Sequence, residues 1–230
     1  MGRAGTGIDV ANAGWEFESV AGVFDDHVRK SVPLYDLGHD LACQIGDFFL
    51  PPNATVVELG ASTGALTKRF LDHSEGRRDI RYVAYDRVEA MLERARTRCG
   101  PDPRLEFVND DIVTAELPRA NVVLSYYTLQ FVPPRSRQDV FNKIYASLEW
   151  GGALLLFEKV RAPDARFQDL AVQLYHEFKL VQGFDETEIL NKQRSLKGVL
   201  EPFSTQGNID LLHRAGFADL MTVQKVYQAV

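Results

Sequence analysis

Between residues 55 and 157 the chain alternates short apolar runs with segments of helical period. The last run, residues 153–157, is apolar along its whole length, as expected of a central parallel strand that is covered on both faces. Strands and helices that alternate in this way specify a doubly wound α/β fold with a Rossmann-like, mostly parallel sheet. The predicted strands are residues 55–59, 82–85, 105–108, 121–127 and 153–157, and the predicted helices are residues 65–73, 88–98 and 135–149.

The segments on either side of this core are predicted to complete a single domain of 230 residues. Residues 1–14 are small and polar and are expected to be disordered. Residues 15–50 carry apolar positions at helical spacing and predict lid helices. Residues 164–215 predict a helical cap over the carboxyl edge of the sheet, where open α/β sheets bind ligands. Within and beyond this cap, helices are predicted at residues 167–181, 186–200 and 208–215, and an edge strand at residues 220–226.

The composition excludes several kinds of partner. With 32 acidic and 26 basic residues the net charge is −6, which is the wrong sign for a protein that coats nucleic acid or an anionic membrane. No apolar run approaches the roughly 18 residues that span a bilayer. The two cysteines, Cys43 and Cys99, are too few for a disulfide framework. We therefore expect a cytoplasmic protein without a nucleic-acid or membrane partner. No His, Cys and carboxylate cluster has metal-ligand spacing, so no metal is predicted.

Acidic side chains and glycines fall where the predicted strands end. Glu58 ends the first strand, before the turn Gly60–Gly64, whose glycines lack the close spacing that admits a pyrophosphate. A carboxylate at this place suits an ammonium group better than a phosphate. Asp86 ends the second strand, where a carboxylate can accept both hydroxyls of a ribose. After the third strand, Asp111 can accept an adenine amino group while Ile112 covers the ring.

Together these features resemble the class I S-adenosylmethionine-dependent methyltransferases over roughly residues 55–160, the predicted cofactor core. Positions dispersed over almost the whole chain resemble the carboxy-S-adenosylmethionine synthase family more closely. They are Trp15, Phe17, Val20-Ala21, Val23-Phe24, Ser31-Val32-Pro33, Tyr35, Thr128-Leu129-Gln130-Phe131, Lys143-Ile144-Tyr145, Gly151-Gly152-Ala153-Leu154, Glu158-Lys159, His176, Phe178-Lys179, Gly183 and Ala215-Gly216-Phe217.

The resemblance implies S-adenosylmethionine as the cofactor, a class I methyltransferase fold and a homodimer. The family that it indicates makes the carboxymethyl donor for wobble uridine modification in tRNA from S-adenosylmethionine and prephenate. By the resemblance, the cofactor-binding positions are Tyr35, Gly60, Ala61, Ser62, Asp86, Arg87, Asp111, Ile112 and Tyr126, and Glu58 joins them as the predicted partner of the ammonium group.

One position departs from the pattern that the resemblance implies. The family has an arginine that binds the carboxylate of its carboxylated cofactor, and an ungapped alignment from His176 places Gln193 there, with Arg194 next to it. A neutral amide cannot form the bidentate, charge-assisted pair that a guanidinium forms with a carboxylate. A shift of one residue would bring Arg194 to this position instead. Two further family asparagines correspond to Arg87 and Tyr126 here.

Because Gln193 stands where the family has its arginine, the sequence favours ordinary methyl transfer from S-adenosylmethionine. In this hypothesis a small aromatic or heteroaromatic acceptor, such as an indole-type natural product, is methylated by SN2 displacement, for which positioning is the main requirement. His176 is the candidate base for an acceptor with an acidic proton, and His27 is the second candidate. Arg194 is the candidate anchor for an acidic or carbonyl group of the acceptor. The candidates for an aromatic wall beside the sulfonium are Tyr35, Tyr126, Tyr127 and Phe131.

Two alternatives stay open. In the first, the chain is a carboxy-S-adenosylmethionine synthase in which Arg194 reaches the carboxylate. In the second, it is a non-catalytic cofactor-binding protein whose helical insertion serves as an interaction surface. The sequence names neither the acceptor nor the methylated atom.

Overall fold

The structure is a computed structural model that describes residues 2–6, 8–11, 13 and 16–227. Its strands are β1 (Gly2–Arg3), β2 (Asp9–Val10), β3 (Thr55–Leu59), β4 (Arg81–Asp86), β5 (Leu105–Asn109), β6 (Ala120–Tyr126) and β7 (Leu148–Phe157). Its α-helices are α1 (Phe17–Val20), α2 (Phe24–Ser31), α3 (Tyr35–Asp47), α4 (Ala65–His73), α5 (Glu89–Cys99), α6 (Pro134–Ser147), α7 (Ala165–Val181), α8 (Glu186–Ser195) and α9 (Thr205–Ala215).

Five parallel strands form the central sheet, in the order β5-β4-β3-β6-β7. The chain runs from β3 outward to β5 and then returns to place β6 on the other side of β3. This reversal is a topological switch point, and the crevice outside the carboxyl ends of the strands at such a point is where doubly wound sheets bind ligands. The predicted doubly wound sheet is confirmed, with strand ends that differ from the prediction by a few residues.

Both faces of the sheet are covered, which explains why its strands are apolar without alternation. On one face of the sheet, Val56 packs in a cluster with Phe70 of α4 and Ala42 of α3. The next residue, Val57, points to the other face and packs in a cluster with Phe141 of α6. Each fully buried side chain of this kind contributes about 1.5 to 3 kcal/mol. The two cores together hold the strand ends in a fixed arrangement.

Local signals in the sequence set several helix ends. α8 begins with a capping box in which Asp185 accepts from the backbone N–H of Glu188 and the Glu188 side chain accepts from that of Asp185. The N-terminus of α7 is capped by Asp164 and that of α9 by Ser204. α9 ends at Gly216, whose φ of 114° is a left-handed conformation that favours glycine.

The amino-terminal segment differs from the expected disorder. Gly2–Arg3 pairs antiparallel with Asp9–Val10, and Ala4, Ile8 and Val10 are buried against α1 and α5. Burial of these three apolar residues stabilises the segment. The prediction of disorder was based on the average composition, which is small and polar, and did not take them into account. Trp15, which the resemblance includes, lies outside the described residues. Of the predicted lid helices, α1 and α2 lie over the carboxyl edge of the sheet, whereas α3 packs on its face.

Three predictions for the carboxyl-terminal third are wrong. Residues 220–226 form no edge strand in the part of the chain that the structure describes. The helix predicted to extend to residue 200 ends at Ser195. In addition, α9 lies against α6, with Leu211 in the core of the sheet face, and is therefore a layer helix and not part of the cap.

Candidate active site

A cavity of about 470 Å³ opens at the carboxyl ends of β3, β4, β6 and β7. α1 and α2 cover one side of it, and α7 and α8 cover another. All ten residues predicted to bind the cofactor line this one cavity. They are Tyr35, Glu58, Gly60, Ala61, Ser62, Asp86, Arg87, Asp111, Ile112 and Tyr126.

The turn after β3 lines the cavity and is held in place by backbone hydrogen bonds. Gly60 has a φ of 83°, and a Cβ there would overlap the side chain of Thr128. The N–H groups of Gly60 and Ala61 both donate to the carbonyl of Tyr85, at 2.8 Å each. Gly64, with a φ of 75°, is the N-cap residue of α4. Glycine is required at residue 60 because both its φ and its close approach to Thr128 exclude a side chain.

Asp86 lies at the end of β4 and is fixed from both sides. Its Oδ2 accepts from the backbone N–H of Ser62 at 2.8 Å, and its Oδ1 accepts from that of Val88 at 2.9 Å. Burial raises the pKa of this carboxyl, against the lowering effect of these two hydrogen bonds. Each carboxylate oxygen keeps a second lone pair. The geometry thus leaves Asp86 able to accept two hydroxyls from the cavity side.

Glu58 is buried in the cavity wall behind the turn. Its Oε2 accepts from Thr67 Oγ1 at 2.5 Å and from Tyr82 Oη at 2.8 Å. Burial raises the pKa of this carboxyl to about 7, and the charge of Asp86 adds to the rise while both hydrogen bonds oppose it. A carboxylate in this position has a strong electrostatic reason to bind a cation. Glu58 therefore fits the ammonium group of an amino-acid moiety.

Cofactor affinity should consequently depend on pH through Glu58. The ionised form binds the ammonium group, so affinity for S-adenosylhomocysteine is expected to rise between pH 6 and 8 and to fall by up to about tenfold per pH unit below a pKa near 7. Folding has the opposite dependence. Because burial raises the pKa of Glu58 in the folded state from 4.5 to about 7, the contribution of this carboxyl to stability decreases as the pH rises from about 4.5 to about 7.

Calorimetric titration at several pH values measures this dependence. Glu58→Gln keeps the size and the hydrogen-bonding shape of the side chain but cannot ionise. Its affinity should be lower at pH 8 and nearly constant between pH 6 and 8. A pH profile that Glu58→Gln leaves unchanged would assign the dependence to another group.

The residues that follow β5 line another side of the cavity. Asp111 Oδ1 accepts from the backbone N–H of Val113 at 2.9 Å. Lys143 Nζ donates to the carbonyls of Ile112 and Ala115, at 2.7 and 2.6 Å, and so fixes the turn that follows. Arg87 lies 3.8 Å from Asp111. A fixed carboxylate next to the apolar side chain of Ile112 suits an aromatic base with an exocyclic amino group.

The aromatic wall is rigid. Tyr126 Oη donates to the carbonyl of Tyr35 at 2.6 Å, and the two rings meet edge to face with centroids 5.3 Å apart. A Cβ at Gly38 would overlap Tyr126 Oη, so α3 can approach this ring only because residue 38 is glycine. Burial raises the pKa of both phenols. Tyr126 therefore shapes the wall and does not serve as a base.

The structure does not bring His176 and Arg194 to the cavity wall, so the roles expected for them need correction. Gln193 lines the cavity, and its Nε2 lies 2.5 Å from Nε2 of His176, which stands behind it. Arg194, the next residue on α8, does not line the cavity. His27 does line the cavity, but burial, with Lys192 and Lys179 nearby, lowers its pKa to about 3 and makes it a poor base.

Sequence reasoning missed three lysines of the cavity wall, Lys159, Lys179 and Lys192. Tyr127, a predicted member of the aromatic wall, does line the cavity; its φ is 55° and its buried hydroxyl has no hydrogen-bond partner among the described residues. Lys159 follows a strand end, which is the one signal that could have found it. Lys179 and Lys192 lie on separate helices that meet only in the folded chain.

Two absences apply to the described residues. No three of their His, Cys, Asp and Glu side chains are placed to bind a metal ion. No helix within residues 2–6, 8–11, 13 and 16–227 has the length and apolarity needed to cross a membrane.

The chain has the fold of the class I S-adenosylmethionine-dependent methyltransferases. Its cofactor is S-adenosylmethionine. A family model described as a methyltransferase domain matches residues 56–152. The methyltransferase SibL, in its apo form, aligns with a TM-score of 0.63 at 18% identity, over 97% of this chain and 60% of that one. Human N-acetylserotonin methyltransferase in complex with S-adenosylmethionine aligns with a TM-score of 0.52 at 21% identity, over 88% and 49%.

Within this class, the chain belongs to the carboxy-S-adenosyl-L-methionine synthase family. A relative of that name from Wolinella succinogenes is 36% identical over 208 residues, which are 90% of this chain and 86% of the relative. Another from Desulfotalea psychrophila is 38% identical over 207 residues, which are 88% and 84%. The resemblance inferred from dispersed residues is thereby confirmed.

Proposed function

We propose that the protein transfers the methyl group of S-adenosylmethionine to a small acceptor bound in the same cavity. The observation that carries this proposal is the placement of Gln193, and not Arg194, in the cavity wall. A neutral amide lacks the charge that would select a carboxylated cofactor over the plain sulfonium. The proposal keeps the shared scaffold of the family and changes the reaction.

The cavity residues have separate tasks in this proposal. Glu58 binds the ammonium group, Asp86 the ribose hydroxyls, and Asp111 with Ile112 the adenine. When bound, S-adenosylmethionine supplies an activated methyl group: a bond forms between that carbon and an electron pair of the acceptor, and the carbon–sulfur bond breaks to leave a neutral thioether. The chain itself contributes orientation and exclusion of water, which can supply up to roughly 7 to 11 kcal/mol.

Aromatic side chains support an acceptor that is flat. Phe17 and Phe131 meet edge to face with centroids 4.9 Å apart, and both line the cavity beside Phe24 and Tyr127. Rings of this kind stack on planar ligands and also accommodate the sulfonium. The sequence relatives from Wolinella succinogenes and Desulfotalea psychrophila are named as synthases and not as methyltransferases of aromatic natural products.

Carboxy-S-adenosyl-L-methionine synthesis is the second candidate, and the comparisons favour it over methylation of an aromatic natural product. Relatives 31–38% identical over about 90% of the chain carry that name. Lysines in the cavity wall also offer positive charge that does not depend on Gln193. The two reactions differ in whether the carboxylated or the plain cofactor is bound.

Mass spectrometry of the small molecule that co-purifies with the protein separates them. We expect S-adenosylmethionine or S-adenosylhomocysteine, and a carboxylated cofactor would overturn methyl transfer in favour of synthesis. Transfer of labelled methyl groups to small-molecule extracts is then expected to label an acceptor. Binding of the cofactor without labelling of any acceptor in a broad panel would favour a non-catalytic binding protein.

Gln193→Arg tests whether the neutral side chain of Gln193 decides between methyl transfer and carboxy-S-adenosyl-L-methionine synthesis. The change should raise affinity for carboxy-S-adenosylmethionine relative to S-adenosylmethionine by at least about tenfold, because a charge-assisted pair of this type contributes on the order of 2 to 5 kcal/mol. Arg194→Ala is the matched control and should leave the ratio unchanged, because Arg194 lies outside the cavity wall. A large change in Arg194→Ala would restore the carboxylate-binding role to that residue.

The homodimer implied by the resemblance stays a prediction. α7 exposes Phe167, Leu170 and Leu174 along one side, and exposed apolar positions at helical spacing are typical of an interface. Light scattering of the purified protein measures its mass directly.

A further inference from the structure

One carboxylate joins the lid helix α2 to the turn after β3 and to the end of α5. Asp25 lies in the first turn of α2. Its Oδ1 accepts from Thr63 Oγ1 at 2.5 Å, and its Oδ2 forms an ion pair with Arg98, in the last turn of α5. Arg98 Nη1 also donates to the carbonyl and to Oγ1 of Thr63, at 3.0 and 2.9 Å. We refer to these three residues as the Asp25 cluster.

The Asp25 cluster is largely shielded from solvent. Thr63 is 2% exposed, and the side chains of Asp25 and Arg98 are 24% and 31% exposed. Burial raises the pKa of Asp25, but the hydrogen bonds from Arg98 and Thr63 outweigh it, so the pKa lies below its usual value. Asp25 is therefore ionised at neutral pH. Charge-assisted hydrogen bonds in such partly buried surroundings are stronger than those on an open surface.

The turn between β3 and α4 is held by two carboxylates that belong to different parts of the fold. Asp86, at the end of β4, accepts from the backbone N–H of Ser62. Asp25 accepts from the side chain of the next residue, Thr63. Both Ser62 and Thr63 line the cavity. Because β4 belongs to the central sheet and α2 to the lid, only the contact with Asp25 depends on the position of the lid.

From this turn α2 extends to the opposite side of the cavity. Three of its side chains, those of Phe24, His27 and Val28, line the cavity. The carbonyl of Ser31, the last residue of α2, accepts from Tyr175 Oη of α7 at 2.7 Å. A displacement of α2 would therefore uncover the cavity and break the contacts at both of its ends.

The link between α2 and α3 is strained. Leu34 has a φ of 56°, a left-handed conformation that costs free energy for any residue with a Cβ. Such a conformation persists only where the surrounding contacts hold it, and it is often found in segments that move. The contacts of Asp25 and Ser31 at the two ends of α2 hold the helix over the cavity.

We propose that Asp25 is a positioning residue that couples cofactor binding to closure of α2 over the cavity. A cofactor against the turn keeps Thr63 in the orientation in which it donates to Asp25, and α2 held by Asp25 restricts departure of the cofactor. Such a coupling is reciprocal. The proposal goes beyond the proposed function and does not depend on it, because methyl transfer and carboxy-S-adenosyl-L-methionine synthesis both begin with bound S-adenosylmethionine.

Stopped-flow displacement of S-adenosylhomocysteine from the full chain measures the coupling as a dissociation rate. Asp25→Asn keeps the size of the side chain and removes the charge that pairs with Arg98. We expect the dissociation rate to rise at least about tenfold, as for the loss of a hydrogen bond to a charged group, and the association rate to change less than about threefold. Asp26→Asn, at the next and exposed position of α2, is the matched control and should change neither rate.

Hydrogen exchange separates this coupling from a purely structural role. S-adenosylhomocysteine should slow exchange of the α2 amides in the wild type and in Asp26→Asn. In Asp25→Asn the protection of α2 should decrease, while that of the first turn of α4 persists. Thr63→Val removes the hydroxyl contact with Asp25 but keeps the carbonyl that accepts from Arg98. It should also raise the dissociation rate, and the double variant should raise it no further than the larger single change.

Three results would overturn the proposal: an unchanged dissociation rate in Asp25→Asn, an equal rise in Asp26→Asn, or fully additive effects of Asp25→Asn and Thr63→Val. A lower melting temperature in Asp25→Asn with an unchanged dissociation rate would mean that Asp25 serves only the fold. Absence of methyl labelling, together with faster dissociation from Asp25→Asn, would reject methyl transfer and leave the role of Asp25 intact.

Discussion

Asp86→Ala is expected to weaken binding of S-adenosylhomocysteine by about 1 to 3 kcal/mol, which is roughly 5- to 150-fold. The carboxylate has two tasks that alanine cannot perform. It accepts the ribose hydroxyls in our proposal, and it fixes the turn after β3 and the start of α5 through the N–H groups of Ser62 and Val88. Calorimetric titration gives the affinity, and thermal unfolding separates the loss of ligand contacts from a loss of stability.

Two variants make the result interpretable. Asp86→Asn keeps the size of the side chain and one oxygen acceptor, so it should lose less affinity than Asp86→Ala. Asp72→Ala removes a carboxylate from the exposed side of α4, paired with Lys68, and should leave affinity within about twofold. Unchanged affinity in Asp86→Ala would show that the ribose is bound elsewhere.

Gly60→Ala is expected to have the largest effect on folding. A residue with a side chain at a φ of 83° is strained by about 1 to 2 kcal/mol, and its Cβ overlaps Thr128, which adds about 1 to 3 kcal/mol. We expect a loss of about 2 to 5 kcal/mol in the free energy of unfolding. Cofactor binding should be lost as well, because the turn that lines the cavity and holds Asp86 in place must move.

Denaturant unfolding measures this loss. Thr128→Ala in the same chain should recover part of it, because Oγ1 and Cγ2 of Thr128 are the closest atoms to the added Cβ. Gly76→Ala is the control, because nothing lies within 4 Å of a Cβ there, and it should be nearly neutral. If Gly60→Ala unfolds like the wild type, the turn is not constrained as described.

The positions of the cofactor-binding residues could be predicted because they depend on strand ends. In a parallel sheet the carboxyl ends of all strands meet at one edge. Once Glu58, Asp86 and Asp111 are assigned to the ends of successive strands, their convergence follows without knowledge of the packing. The ten predicted residues therefore line one cavity.

The acceptor side could not be predicted in the same way. His176 and Lys179 are three residues apart on α7, yet only Lys179 lines the cavity. Which of them faces inward depends on the rotation of α7 against the sheet, and periodicity leaves that rotation open when apolar residues occur all around the helix. For Gln193 and Arg194 on α8, a possible shift of one residue in the alignment left open which of the two reaches the cavity.

By itself, the sequence determined the doubly wound sheet, the cofactor edge and the family. Each of these depends on patterns within short segments: apolar runs, turn glycines and acidic residues at strand ends. The tertiary structure alone decided that Gln193 and not Arg194 faces the cavity, that His176 stands behind it, and that lysines from β7, α7 and α8 converge. Side chains distant in sequence meet only when the packing of apolar faces fixes the rotation of each helix.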